Sequence, residues 1–360
     1  MKWYQADLCY CQNIHAADTW DESLSAITTY AQRVKAVLCP NGPFGLGLRL
    51  SMRAARELQP QLDGFKSFLQ ENQMYVVTLN GFPYGTFHDA AVKGSVYNPD
   101  WSQPSRLDYT ILLADILAGL LPAGKYGSIS TVPLCYGKHL PDEATDNILK
   151  AARHLAQIES ETGKTILLGL EPEPDCYLET TPETIDYIKG LQQRDPEAGR
   201  FVGVCVDTCH LALQQEIPLE SIMALENENI PVAKIQLSAA LEYGFGGKVD
   251  NVLHRFIDPV YLHQTRVISE QGTIKYPDLP AALEENPAGT WLVHFHVPLY
   301  YQGTDGIGTT APLLSPELFH YLKHKSHHLE IETYSFDRLP AESTDVVESI
   351  VREYRFVLQQ

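Results

Sequence analysis

Short apolar runs alternate with amphipathic helical stretches along almost the whole chain, and this alternation constrains the fold more than any other feature. The runs are strand-sized, several are rich in β-branched residues, and several end in a polar residue. The stretches between them carry helix signals, such as a capping box that begins at Thr19 and a glycine, Gly163, just after the end of a predicted helix. The predicted strands are Gln5–Cys11, Met74–Asn80, Ser128–Leu134, Thr165–Glu171, Phe201–Asp207, Ala233–Ser238, Trp291–Pro298 and His328–Tyr334.

Eight strand–helix units predict a closed parallel barrel. Strands that alternate with helices form parallel βαβ units, and eight units are typical of an α/β protein with the (β/α)8 TIM-barrel fold. The chain has 360 residues, whereas such a barrel needs about 250. We assign the extra length to long insertions after the first and sixth predicted strands, and we interpret the glycine-rich stretch 41–47 as part of the first insertion. We expect a single domain over residues 1–360, and a doubly wound sheet is the alternative fold.

The acidic balance of the chain limits its partners. Lys and Arg number 27 against 45 Asp and Glu, which gives a formal charge of −18. This charge repels the phosphates of duplex DNA, so we expect no nucleic-acid partner. No apolar run approaches the roughly 18–20 residues that cross a bilayer, so we expect no membrane span.

The cysteines predict a reducing compartment. There are seven of them, they are scattered, and no CxxC pair occurs. The first residues also lack the apolar segment of a signal peptide, so we expect a cytoplasmic protein without a disulfide framework. The sequence does not set the oligomeric state, and a homo-oligomer stays open.

Acidic, imidazole and amide side chains gather at the ends of the predicted strands, where the active sites of such barrels lie. The candidates are Glu171 and Glu173 after the fourth strand, Asp207 and His210 after the fifth, Gln236 on the sixth, His294 and His296 on the seventh, and Glu330 and Glu332 on the eighth. Alternate residues of a strand share a face, so both members of a pair can approach one site, and the later member is better placed to enter it.

Several carboxylates buried together need a counter-charge, because burying them alone costs many kcal/mol. A divalent cation supplies that charge, and a mixture of carboxylate oxygen and imidazole nitrogen suits Mn²⁺, Zn²⁺, Co²⁺ or Mg²⁺. We therefore predict a metal site in which Glu171 and Glu332 also act as acid–base groups. The predicted ligands are Glu171, Asp207, His210, His296 and Glu332, with Glu173, His294 and Glu330 behind them. The alternative interpretation of Asp207 is a helix cap with His210 in the first turn.

Three further residues are weaker candidates for substrate binding. His15 follows the first predicted strand and could reach the same end of the barrel. His254 and Arg266 lie in the second insertion, which could cover the site and bring a cation to a phosphate or carboxylate. His254 and Arg266, each taken alone, are more typical of a surface loop.

The strand-end residues resemble those of the xylose-isomerase-like barrel superfamily. This group contains sugar isomerases, ketose 3-epimerases and apurinic endonucleases of the endonuclease IV type. The chain also resembles the EboE family of metabolite traffic proteins. The motifs that carry this narrower resemblance are residues 8–15 with Trp20, Gly-Leu-Glu-Pro-Glu-Pro (169–174), Asp-Thr-Cys-His (207–210), Lys-Ile-Gln-Leu-Ser (234–238), Tyr-Leu-His-Gln (261–264) and Leu-Glu-Ile-Glu-Thr-Tyr (329–334).

The broader resemblance implies a metal held by Glu171, Asp207 and Glu332, with a residue of the sixth predicted strand completing the shell. The sugar epimerases and the endonucleases have His there, whereas this chain has Gln236. An amide oxygen can bind a hard cation but contributes less than imidazole to Zn²⁺. His210 and His296 are the candidates for the missing nitrogen.

These observations predict a metal-dependent isomerase or epimerase that acts on a sugar, a cyclitol or a related polyol. Glu171 or Glu332 would remove a proton next to a polarised carbonyl, and the other would return it. One alternative is a hydrolase of small phosphoesters, with Asp207, His210 and His296 activating a water. The other is a non-catalytic metabolite-binding or traffic protein on the same barrel, since fold does not fix function.

Overall fold

Eight parallel strands close into a barrel in the computed structural model, which describes residues 1–85, 93–244, 251–304, 306–336, 338–339 and 345–360. The first strand pairs with both the second strand and the last, so the sheet has no open edge between them. The barrel strands are Ala6–Cys11, Phe44–Arg49, Met74–Asn80, Gly127–Thr131, Ile166–Leu170, Val202–Asp207, Val232–Leu237 and His328–Ile331. The predicted (β/α)8 barrel is confirmed.

One barrel strand was missed in the sequence. The glycine-rich stretch 41–47 is not part of an insertion, because Phe44–Arg49 forms the second strand and pairs in parallel with the strands on both sides. Gly47 is required there, since a Cβ atom at this position would overlap the Glu330 carboxylate inside the barrel. The segment after the first strand is therefore an ordinary barrel unit rather than an insertion.

The predicted strand Trp291–Pro298 does not belong to the barrel. Only Thr290–Val293 is extended, and it pairs antiparallel with two strands of a separate sheet. This five-stranded sheet lies within one insertion between the last two barrel strands. Its strands, in spatial order, are Gly272–Tyr276, Thr265–Ser269, Thr290–Val293, Leu241–Gly244 and Ile307–Thr309.

The helices follow the signals in the sequence. The capping box at Thr19 is formed, with reciprocal hydrogen bonds between Thr19 and Glu22, and a second one joins Thr180 and Glu183. The α-helices are Trp20–Ala26, Gln32–Leu38, Met52–Leu58, Leu62–Glu71, Pro104–Leu120, Asp142–Thr162, Thr181–Arg194, Pro196–Gly199, Thr208–Leu213, Pro218–Asn227, Leu279–Glu285, Pro316–Lys323 and Val346–Leu358, with a π-helical turn at Ile27–Ala31. The 3-10 helices are Gln12–Ile14, Gln59–Gln61, Lys93–Tyr97, Asn251–Phe256 and Ala311–Leu313, and a two-residue strand, Lys2–Trp3, precedes the barrel.

The interior of the barrel is partly polar. Lys234 and Glu330 are fully buried and form an ion pair, and the Lys234 ammonium also contacts the Asn80 side-chain oxygen. Asn80 Nδ2 donates to Glu330 Oε1 at 3.1 Å. The side chain of Glu330 is thus held by a buried cation beneath the strand ends. No helix within the described residues is long and apolar enough to cross a bilayer.

Candidate metal centre

Three carboxylates from three different strands meet at the carboxyl-terminal end of the barrel. Glu171 directly follows Ile166–Leu170, Asp207 ends Val202–Asp207, and Glu332 directly follows His328–Ile331. One carboxylate oxygen from each lies within 4.8 Å of the other two, and all three residues are buried. The three carboxylates lie together because a parallel barrel places the carboxyl-terminal ends of all its strands on one face.

Asp207 has one carboxylate oxygen that is fully used and one that is not. Its Oδ1 accepts hydrogen bonds from the backbone N–H groups of Cys209 at 2.8 Å and His210 at 3.1 Å, and from Ser238 Oγ at 2.6 Å. Its Oδ2 is buried without a hydrogen-bond partner among the described residues. Asp207 therefore caps the following helix with Oδ1 and leaves Oδ2 without a hydrogen-bond partner among the described residues, so the two interpretations of this residue are compatible.

The charge state of Asp207 matches this role. Burial favours the neutral acid, but His210, His296 and the hydrogen bond from Ser238 outweigh it and hold the pKa of Asp207 below its ordinary value. Asp207 is therefore ionised at neutral pH. A buried, ionised and unpartnered carboxylate oxygen is costly unless a cation faces it.

Three imidazoles converge beside these carboxylates. Nε2 of His294 lies 3.2 Å from Nε2 of His210 and 3.2 Å from Nε2 of His296. Asp207, His210 and His296 also form a group with ligand atoms within 4.8 Å of one another. The structure therefore brings a nitrogen-rich group next to the group of three carboxylates, and Asp207 belongs to both.

The outer nitrogens of the imidazoles define where their protons lie. Nδ1 of His210 is 3.0 Å from the Pro172 carbonyl oxygen, and Nδ1 of His296 is 3.0 Å from the Glu332 carbonyl oxygen. A carbonyl oxygen only accepts, so each neutral ring carries its proton on Nδ1 and presents a lone pair at Nε2. Burial lowers the pKa of His210, and burial together with the neighbouring imidazoles lowers that of His294 further, so both favour the neutral form.

The side chains of His294 and His296 reach the site from an irregular segment, so the alternation of residues along a strand does not explain their placement. Both lie after the strand Thr290–Val293 has ended, where the chain crosses the mouth of the barrel. The backbone N–H of His294 donates to the Gln264 carbonyl at 2.9 Å, and that of Val297 donates to the Ala239 carbonyl at 2.9 Å. The prediction that both lie on a barrel strand is wrong, although their side chains do reach one place.

The other carboxylates of the cluster hold their protons more tightly than usual. Burial and then the charges of Glu332 and Asp207 raise the pKa of Glu171 well above its ordinary value. Burial also raises the pKa of Glu332, although His296 partly offsets the effect. Asn13 Nδ2 donates to Glu332 Oε1 at 2.7 Å, and the Tyr334 hydroxyl donates to the same oxygen. A divalent cation at this place would favour the ionised form of both carboxyl groups and so take the place of their protons.

Glu173 lies next to the imidazoles and is held by a tyrosine. The Tyr97 hydroxyl donates to Glu173 Oε1 at 2.7 Å, and the same oxygen is 3.7 Å from Nδ1 of His294. Burial raises the pKa of Glu173 to about 8. Glu173 therefore holds its proton at neutral pH in the metal-free protein.

The raised pKa of Glu173 predicts a pH-dependent stability. In the metal-free protein, folded Glu173 keeps its proton up to a pKa of about 8, whereas the unfolded chain loses it near 4.5. The free energy of unfolding should therefore fall as pH rises through this window, by up to about 1.4 kcal/mol per pH unit for one proton. Urea unfolding of the wild type and of Glu173→Gln at several pH values measures the difference. Glu143→Gln, at an exposed position, should keep the wild-type slope. Equal slopes in the wild type and Glu173→Gln would contradict the assignment.

The remaining predicted residues lie elsewhere. The His15 imidazole is 2.6 Å from the Tyr10 hydroxyl and stacks on Tyr30, His254 is exposed, and neither lines the cavity described below. Arg266 is also outside that cavity. It is buried in ion pairs with Asp175 at 2.8 Å and Glu179 at 3.3 Å, so its charge is already neutralised.

Gln236 lies at the strand position that the resemblance implies for a ligand. It is buried, and it pairs across the sheet with Asp207 on one side and with Glu330 on the other. Its side-chain oxygen accepts a hydrogen bond from Cys205 Sγ at 3.2 Å. Its role as a ligand stays a prediction.

A cavity of about 340 Å³ opens above the cluster. Its lining includes the acidic side chains of Glu171, Glu173 and Glu332 and the three imidazoles of the cluster, and its walls combine aromatic, aliphatic and charged side chains. The wall residues include Phe82, Tyr97, Tyr261, Phe295 and Tyr334. This size and this combination of apolar surface with convergent polar groups are typical of a site for a small molecule.

Among the polar side chains that contact the cluster, the sequence did not predict Asn13, Tyr97, Gln264 or Tyr334. Tyr334 had a usable signal, because it lies two residues after Glu332, and alternate residues of an extended segment share a face. Tyr97 lies in a 3-10 helix, and Gln264 lies in the insertion just before the strand Thr265–Ser269. Their contacts depend on how distant segments pack, so no local pattern points to them.

Of three comparisons with known proteins, only the one with solved structures gives matches. Neither a protein-family model nor a curated protein matches the chain. Among solved structures, the chain is similar to the IolI protein with a bound zinc atom, at 12% identity over 98% of each chain with a TM-score of 0.51. It is also similar to a xylose isomerase domain protein from Alicyclobacillus acidocaldarius (14% identity, 98% of each chain, TM-score 0.49) and to a D-tagatose 3-epimerase-like protein (12%, 98% of each chain, 0.46).

At these identities the comparisons establish the fold alone. The chain forms a (β/α)8 TIM barrel, and its place in the xylose-isomerase-like superfamily stays a prediction. The narrower resemblance to the EboE family stays a prediction.

Proposed function

We propose that this protein is a metal-dependent isomerase or epimerase of a small sugar, cyclitol or related polyol. The observation that carries the proposal is the convergence of three carboxylates and three imidazoles at the end of the barrel. The unpartnered Oδ2 of Asp207 and the Nε2 lone pairs are the donors that a metal ion needs, so the residues fit a divalent cation.

Two overlapping ligand groups can be distinguished. Glu171, Asp207 and Glu332 offer oxygen atoms, which suit Mn²⁺, Mg²⁺ or Co²⁺, and the three histidines offer nitrogen, which suits Zn²⁺ or Co²⁺. Asp207 lies within ligand distance of Glu171 and Glu332 and also of His210 and His296, so it could serve either group. When bound, a divalent cation would polarise a substrate carbonyl and orient neighbouring hydroxyl groups.

Glu332 and Glu171 are suited to move the proton. In the metal-free protein, burial raises the pKa of both carboxyl groups, and a carboxyl group that changes its protonation state nearer neutral pH can serve as acid or base. Asn13 and Tyr334 fix the orientation of Glu332 through hydrogen bonds to one oxygen. In this mechanism one carboxylate removes the proton next to the carbonyl, and the other carboxyl group returns it.

Deuterium uptake tests this assignment. The metal-loaded protein is incubated in D2O with a panel of ketoses, aldoses and inositols, and exchange of carbon-bound hydrogen is followed by NMR. Glu332→Gln should slow exchange by about 10²- to 10⁴-fold, because it removes a proton-transfer group; the comparison is made at saturating metal, because Glu332 is also a proposed ligand and an amide oxygen binds a cation more weakly. Glu161→Gln, on an exposed helix face, is the control. Wild-type exchange by Glu332→Gln would show that the base is misassigned.

A hydrolase of small phosphoesters is the second candidate function. The group Asp207, His210 and His296 favours it, since nitrogen-rich sites with an aspartate suit the activation of a water molecule. Phosphate release from small phosphoesters without deuterium uptake would select this reaction. Tight binding of a polyol without any turnover would instead select a metabolite-binding protein on the same barrel.

A further inference from the structure

Gln264 links the imidazole group to Glu173. It is fully buried, although it lies in the insertion and not on a barrel strand. Its Oε1 is 2.7 Å from Nδ1 of His294, and its Nε2 donates to the Tyr97 hydroxyl at 3.0 Å and to the Pro174 carbonyl at 3.1 Å. Both N–H groups and the oxygen of this amide are therefore used.

These contacts fix the orientation of the amide. The Pro174 carbonyl can only accept, so the side of Gln264 that faces it must be the NH2 group. The oxygen must then face His294, which requires the proton of that imidazole to lie on Nδ1. The Nε2 atom of His294 is left with a lone pair directed at His210 and His296.

The same amide sets the direction of the hydrogen bond to Glu173. Because Gln264 donates to the Tyr97 hydroxyl, this hydroxyl is free to donate its own proton onward, and Glu173 Oε1 accepts it at 2.7 Å. Glu173 Oε1 is also the competing acceptor for Nδ1 of His294, but it lies at 3.7 Å, whereas Gln264 Oε1 lies at 2.7 Å. Gln264 thus keeps the imidazole and the carboxyl group apart as two separately held groups.

We propose that Gln264 is the positioning residue of this site: it fixes His294 as a nitrogen donor toward a metal ion and directs the Tyr97 hydroxyl to Glu173. The inference rests on the proposed metal-dependent function. It adds the requirement that the His294 proton lie on Nδ1, which the ligand residues alone do not impose. With its proton on Nε2, the His294 ring would present an N–H group to the cluster in place of a lone pair.

The test uses Gln264→Leu in the full-length protein, with Zn²⁺ as the probe. Zinc affinity of the metal-free protein is measured by competition with a chelator. The position of the His294 proton is read from long-range ¹H–¹⁵N spectra of ¹⁵N-histidine-labelled protein. Loss of an outer partner of a ligating histidine typically lowers metal affinity by about 10- to 100-fold, and we expect a loss of this size in Gln264→Leu. The wild-type spectrum should show the His294 proton on Nδ1.

Two further variants separate positioning from general damage. Gln12→Leu makes the same change at another buried glutamine, whose Nε2 donates to the Ser23 carbonyl, and it should keep wild-type zinc affinity. Gln264→Glu retains an acceptor for His294 but cannot donate to Tyr97, so it should bind zinc more tightly than Gln264→Leu. Wild-type zinc affinity and an unchanged His294 proton in Gln264→Leu would overturn the inference. Absence of zinc binding by the wild type would overturn the proposed function instead.

Discussion

Asp207→Asn is expected to remove metal binding and turnover while leaving the fold intact. Asparagine is as good a helix cap as aspartate, so the hydrogen bonds that Oδ1 accepts from the backbone of Cys209 and His210 can be kept. The change places an NH2 group where the unpartnered Oδ2 now lies and removes the negative charge. Since Asp207 is shared by both ligand groups, the loss of zinc or manganese affinity should exceed the about 10- to 100-fold typical of an outer-shell change.

Titration calorimetry with Mn²⁺ and Zn²⁺ measures this effect, and thermal unfolding of the metal-free proteins checks the fold. The matched control is Asp195→Asn, because Asp195 also caps a helix, through the Ala198 N–H, but lies outside the site. Asp195→Asn should bind both metals like the wild type. Undiminished metal affinity in Asp207→Asn would remove Asp207 from the ligand set and, with it, the overlap of the two groups.

Of the substitutions proposed for this protein, Lys234→Met is expected to cause the largest loss in the free energy of unfolding. Burial alone would lower the pKa of Lys234, but the Glu330 carboxylate outweighs burial and holds the pKa above its ordinary value, so Lys234 carries its charge in this ion pair. Removing one partner of a buried ion pair leaves an uncompensated charge and typically costs about 3–5 kcal/mol in the free energy of unfolding. Glu330 would keep only its hydrogen bond from Asn80 at 3.1 Å.

Urea unfolding of the metal-free protein measures this cost. The double variant Lys234→Met with Glu330→Gln should recover most of the loss, because neither position of the pair then carries a charge. Lys189→Met, which breaks an exposed ion pair with Glu228 at 2.6 Å, should change stability by less than about 1 kcal/mol. A single Lys234→Met variant as stable as the wild type would show that the pair is not ionised in the folded protein.

Most of the barrel strands could be predicted from the sequence. The exception is a strand whose residue types are set by the space that side chains of other strands need. Seven of the barrel strands were predicted from apolar runs between helix signals, and all seven are present. The strand Phe44–Arg49 was missed because Gly45 and Gly47 leave room for the side chains of Cys9 and Glu330. A glycine that makes room for a distant residue looks like a loop glycine in the sequence.

The error at Trp291–Pro298 has a different cause. An apolar run with β-branched residues fits any buried strand, and periodicity does not distinguish a parallel barrel strand from an antiparallel one in an inserted sheet. His294 and His296 were thus assigned to the site for the wrong reason. They reach it because the chain after Val293 is held across the barrel mouth by backbone hydrogen bonds to Gln264 and Ala239.

The carboxylates of the site could be predicted better than their partners. Glu171, Asp207 and Glu332 stand at strand ends, and a closed parallel barrel brings strand ends together. The groups that orient them and their neighbours, such as Asn13, Tyr97 and Gln264, come from segments far apart in the chain. Tertiary packing alone determines those contacts.

The metal content of the protein tests the central claim most directly. The full-length chain, purified without a polyhistidine tag, is loaded separately with Mn²⁺, Co²⁺, Zn²⁺ and Mg²⁺, dialysed, and assayed by inductively coupled plasma mass spectrometry. We expect at least one tightly bound divalent ion per chain for at least one of these metals, and its loss in Asp207→Asn. Absence of any retained divalent ion after loading with all four would contradict the account.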